Sequence, residues 1–63
     1  MTEGQREIQA KISSLENIRI LLEEARVHAR SLDSAEGEHV QTRIMVTLRT
    51  VNREILRLQA SGS

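Results

Sequence analysis

The chain lacks most of what usually stabilises a small domain. It has no Cys, which excludes disulfides and thiolate metal sites. It has no Phe, Tyr or Trp, the side chains that bury most area per residue. Without them, and with only 63 residues, a hydrophobic core is marginal unless something outside the chain adds to it. Pro is also absent, and the three Gly stand at 4, 37 and 62, so both flanks of the central region are free of helix breakers. Nine acidic residues cancel nine basic ones, which removes the overall field expected of a nucleic-acid or membrane binder. No apolar run approaches the roughly 18 residues of a membrane span, and the polar start MTEGQREIQ is unlike a signal peptide. The expectation is a soluble, intracellular, cytoplasmic all-α protein.

What is present is one periodic pattern, written twice. Apolar residues fall at 8, 12, 15, 18, 22, 25, 29 and 32, spaced by threes and fours as a helical stripe requires. After the interruption SLDSAEGEH, Val40, Ile44, Leu48, Val51, Ile55 and Leu58 make a second stripe. Thr2 with Gln5 spells a capping box for the first helix, and Asp33 with Glu36 spells one for the second. These signals predict helices over 3–31 and 35–60, a link over 32–34 and a frayed tail over 61–63, all one domain.

Folding the two rods antiparallel about Asp33 makes facing residues carry numbers that total about 66. Ile8 then meets Leu58, Leu15 meets Val51, Ile18 meets Leu48 and Leu22 meets Ile44, all large and apolar. Nearer the link, Ala29 meets Gly37 and Ala25 meets Gln41, small residues where two backbones converge. This arithmetic favours an antiparallel αα-hairpin over one continuous coiled-coil helix, because Ser31, Asp33, Ser34 and Gly37 cluster at the symmetry point.

Several apolar residues are left over. Ile20 and Val27 lie opposite the first stripe, Leu21 widens it, and on the second helix Val46 and Leu56 are off the seam while Met45 is at its edge. A patch centred on Ile20, Leu21, Met45 and Val46 is therefore expected at mid-rod, and such surface marks an interface more readily than a solvated face. Arg49, Arg53 and Arg57 are successive like charges one turn apart, with Arg43 earlier. They fit helix C-terminal cations that cover apolar surface, or else a ridge for an acidic partner. On the first helix, Glu7 with Lys11, Glu16 with Arg19, Arg19 with Glu23 and Glu23 with Arg26 spell a self-neutralised solvent face.

Little points to catalysis or cofactors. Glu36 with His39, and Glu24 with His28, echo the Glu and His spacing of di-metal bundles, but those ligands point inward from four helices, whereas His28 is at the stripe edge and His39 is off it. No Gly-rich phosphate loop occurs, and no His is placed to activate Ser13, Ser14, Ser31 or Ser34. The expectation is no cofactor, no metal and no enzyme activity.

In outline the chain resembles short helical hairpins of several kinds: dimeric RNA-binding hairpins, a small hairpin protein of the large ribosomal subunit, and hairpin modules that bind small GTPases or act in secretion. The likeness is one of shape, and zero net charge speaks against the ribosomal kind. The expected function is a non-catalytic protein–protein interaction module. It would self-associate as a homodimer, making a four-helix bundle, or dock on a helical segment of a larger protein. Ile20, Leu21, Val27, Met45, Val46 and Leu56 would supply packing, and Arg49, Arg53 and Arg57 orientation. The alternative is a small dimeric regulator that binds RNA or DNA through the Arg ridge, which the missing aromatics disfavour.

Overall fold

The computed structural model describes residues 2–62 apart from Asp33. Two helices, α1 (Glu3–Arg30) and α2 (Ala35–Gly62), pack along their lengths as an all-α helical hairpin. The rod measures 49 × 15 × 10 Å between Cα atoms. That length is what two 28-residue helices side by side should give, at about 1.5 Å per residue plus the link.

The ends of the helices follow from their hydrogen bonds. At the start of α1 the Gln5 N–H donates to Thr2 Oγ1 at 3.2 Å and the Thr2 N–H donates to Gln5 Oε1 at 3.1 Å, so the capping box is complete. The helix stops at Arg30 rather than 31. Ser31 N–H and Ser31 Oγ both donate to the His28 carbonyl, at 3.1 and 2.6 Å, and so tighten the last turn. The second expected box involves Asp33, which lies outside the described residues. Ser34 performs the capping instead: its Oγ accepts the Gly37 N–H at 3.4 Å, and its carbonyl accepts the Glu38 N–H at 3.2 Å. Gly37 has no side chain to reach back, so this cap is one-armed. At the far end α2 continues past residue 60 through Ser61 to Gly62. Where no Pro intervenes, a growing helix adds each further hydrogen bond at little cost, even across poor helix formers.

The seam differs from the expected one. Buried or half-buried positions of α1 are 8, 12, 15, 19, 22, 25, 26 and 29, and those of α2 are 37, 41, 44, 48, 51, 54, 55 and 58. Apart from Ala25 and Glu54 at the edges, each series alternates four and three, the spacing that keeps a stripe facing its partner along a long rod. Gln41 Nε2 donates to the Ala29 carbonyl at 3.4 Å and shows which levels meet. That pair totals 70, while Ile12 clusters with Ile55, a total of 67, so the seam is shifted towards the link side of the expected register by no more than one helical turn. Ile12 clusters with Val51 and Ile55, with Ile8, Leu15, Leu22 and Leu58 packed against them, and two arginines, Arg19 and Arg26, are half-buried along the seam. Ile18, expected to face Leu48, is instead 44% exposed, and Val40 and Leu32 are also on the surface.

The core is thin. Ile12, Val51 and Ile55 form its centre, with Ile8, Leu15, Leu22 and Leu58 packed against them. Ala29 and Leu48 are buried nearer the link. No described side chain is wholly shut off from solvent. Gly37 is buried where the chain turns, and a Cβ there would collide with the Leu32 carbonyl oxygen and lie 2.7 Å from Leu32 Cβ. The expectation of small residues beside the link is met at Ala29 and Gly37.

Candidate functional site

A two-helix rod has two open flanks beside its seam, and the hairpin treats them differently. One flank begins at the open end as a groove between Lys11, Ser14 and Ile18 of α1 and Glu54 and Arg57 of α2. At helical spacing the same row continues through Leu21, Ala25, His28 and Leu32 on α1, and back through Thr50, Thr47, Arg43 and Val40 on α2. This is the aliphatic flank. Ile18, Leu21, Leu32 and Val40 are all exposed on it. The other flank holds a groove lined by Glu23, Arg26, Val27, Arg30, Met45 and Arg49, and further along a second one with Glu16, Arg19, Asn52 and Leu56. This is the charged flank.

The residues singled out from sequence divide between these faces. Val27, Met45 and Arg49 share one groove, Leu56 lies further along the same flank, and Ile20 falls in the same helical row. Leu21 belongs to the aliphatic flank. Val46 and Arg53 lie on the outer side of α2, between its two rows and opposite the seam. Ile20, Leu21, Met45 and Val46 are all exposed but do not form one patch. The arginines make a ridge that winds slowly round α2, by about 40° at each step of four residues. Arg49 faces the charged flank and Arg53 the outer side. Arg57 borders the aliphatic groove, where its guanidinium is held by Glu54, Nε donating at 2.8 Å and Nη2 at 2.6 Å from the same oxygen.

Sequence periodicity passed over Ile18, Leu32 and Val40 as surface residues because it placed them in the stripes. It also passed over Arg19 and Arg26 as seam residues, because it admitted only apolar side chains there. Of the charge pairs expected along the first helix, Glu16 with Arg19 forms, at 3.8 Å. Those requiring Arg19 or Arg26 to reach Glu23 do not close, since both arginines are half-buried and turned towards α2.

Arg26 is the clearest electrostatic anomaly. Its Nε is buried and has no hydrogen-bond partner. A buried donor left unpaired costs about 1–3 kcal/mol. Changing Arg26 to Leu removes that donor and puts an apolar side chain in its half-buried place beside the seam. The expected result is a higher unfolding midpoint, by roughly 1 kcal/mol of added stability. Urea denaturation followed by circular dichroism measures it, and an unchanged or lowered midpoint would mean that Arg26 is satisfied from outside the hairpin.

Among the described residues no group of three His or acidic side chains gathers as a metal site would require. No helix is long and apolar enough to cross a membrane. Comparison with protein-family models, with curated proteins and with solved structures finds no match to this chain.

Proposed function

We propose that the hairpin is a non-catalytic helical interaction module, which completes its core by packing a flank against helices from outside the chain. One observation carries this reading: large aliphatic side chains on the surface outnumber those inside. Among the described residues nine are exposed, from Ile18 to Leu56, whereas the buried large ones are Ile12, Leu48, Val51 and Ile55. Single exposed aliphatics are ordinary, but here all except Val46 line up along the two flanks of a rod whose interior is only one seam thick. A chain that buries so little cannot offset roughly 1.5 kcal/mol of ordering entropy per residue with a wide margin.

Binding to RNA or DNA has less support. Of Arg49, Arg53 and Arg57, Arg57 is neutralised by Glu54, and there is no aromatic side chain on which a base could stack. The test is unfolding over a hundredfold range of protein concentration, with mass measured in parallel. Concentration-dependent stability, or a monomer that is largely unfolded alone, fits the module. A monomer that unfolds cooperatively at high temperature, with a midpoint independent of concentration, would remove the need for any partner.

A further inference from the structure

Resting on that reading, we infer that the missing helices are those of a second copy, packed aliphatic flank to aliphatic flank with both links at the same end. From Ser14 through Ile18 and Leu21 to Ala25, this row of α1 carries no charge. The facing part of α2 is small and already satisfied: Thr47 Oγ1 donates to the Arg43 carbonyl at 2.9 Å, and Thr50 Oγ1 to the Val46 carbonyl at 3.2 Å. Their hydroxyls have spent their donors, so covering them leaves no unpaired hydrogen, and what they present outward is a methyl group.

The flank is complementary to itself. A two-fold axis along the rods lays α1 of one copy on α2 of the other, antiparallel, at equal distance from the links. Leu21 then meets the gap between Thr47 and Thr50 of the second copy, large against small, and Leu32 comes beside Val40. A two-fold interface requires one surface to supply both halves of each contact, and this flank does. A whole face of the rod, 49 × 15 Å between Cα atoms, is about 700 Å², so a stable interface of roughly 800 Å² per partner has to engage this flank along its full length. Both flanks carry charge, Lys11, Arg43, Glu54 and Arg57 on this one and Glu23, Arg26, Arg30 and Arg49 on the other, but here Glu54 already neutralises Arg57, whereas closing the charged flank would seal in Arg26 Nε, which has no hydrogen-bond partner.

The experiment is sedimentation equilibrium on the full chain, with a double variant on each flank and a crosslinking exchange. The wild type is expected as a dimer. Ile18→Glu with Leu21→Glu should halve the mass, raising the dissociation constant at least about 100-fold, whereas Ile20→Glu with Val27→Glu should remain dimeric. Chains carrying Leu21→Cys, mixed with chains carrying Thr47→Cys and treated with a short bis-maleimide, should join to each other. Should the first double variant lose helicity as well as mass, this exchange decides.

A dimer dissociated by the Ile20 and Val27 changes but not by the Ile18 and Leu21 changes would overturn the inference and leave the interaction module standing. So would a wild-type monomer of low stability, which would need a different partner. Crosslinks from Leu21→Cys to Ile18→Cys in place of Thr47→Cys would overturn the links-together arrangement. A stable monomer with a concentration-independent midpoint would overturn inference and module together.

Discussion

Replacing Ile55 by Ala is expected to unfold much of the chain under conditions where the parent is folded. Ile55 is 5% exposed and packs with Ile12 and Val51 at the centre of the only continuous cluster described. Removing a buried Ile side chain to Ala costs about 2–5 kcal/mol, part lost transfer energy and part the cavity left behind. A domain of this size has about 3–9 kcal/mol in all at typical values of ~0.05–0.15 kcal/mol per residue, and a thin core belongs at the lower end. The loss is therefore comparable to the whole. Leu56, its neighbour in sequence, is 66% exposed, and Leu56→Ala should change stability by no more than about 0.5 kcal/mol. Urea titrations of both variants, monitored by helicity, give the comparison. Equal shifts for the two would mean that α2 does not present this face to α1.

That contrast between adjacent leucine-sized residues also locates what could be read without coordinates. The two helices, the link and the first capping box were legible because each is a local signal: an apolar period of three and four, a Ser-rich and Gly-containing interruption, and Thr2 with Gln5. The exact seam was not, and the reason lies in Ile18, which is exposed, while Ala25 is half-buried as the stripe requires. Taking every apolar residue as core puts two successive steps of three at 12, 15 and 18. Each step of three falls about 60° short of a full rotation, and only an intervening four restores the line. Strict alternation instead leads from 15 to 19, 22 and 26, which requires two arginines in the seam. Period was the better guide and side-chain polarity the worse one.

Arginine tolerates such a position because its long stem can pack while the guanidinium reaches towards the edge. Arg19 does so and meets Glu16, whereas Arg26 leaves Nε unpaired. The faces of the candidate site were illegible for the same cause. Shifting the seam by one position on α1 transfers Ile18 to the surface and separates Leu21 from Ile20. What had read as a single mid-rod patch becomes two flanks of different chemistry, one aliphatic and one charged.

Two glycines should respond to the same substitution with opposite signs. Gly4, in the first turn of α1, has open space where a Cβ would stand, and neither it nor Gly37 has a positive φ. Gly4→Ala should therefore stabilise, by a few tenths to about 1 kcal/mol, since Ala loses less backbone freedom on entering a helix. At Gly37 the propensity gain is the same in kind, but the space is taken. A Cβ would press on the Leu32 carbonyl oxygen and lie 2.7 Å from Leu32 Cβ and 3.0 Å from the Leu32 carbonyl carbon. Two of these atoms are backbone, held by the Leu32 N–H to Ala29 carbonyl bond of 3.1 Å that finishes α1, so they cannot swing aside as a side chain would. Relief requires the link to open, moving Leu32 away and loosening Ala29 and Gln41 beside it. Overpacking of this kind costs about 1–3 kcal/mol, which outweighs the helix gain. Gly37→Ala should lower the unfolding midpoint while Gly4→Ala raises it. If the variant escapes by straightening the link into a continuous helix, helicity will persist while the chain lengthens and pairs with another, seen as a larger hydrodynamic radius. A midpoint raised by Gly37→Ala as much as by Gly4→Ala would show that the two helices do not close against Leu32 at this turn.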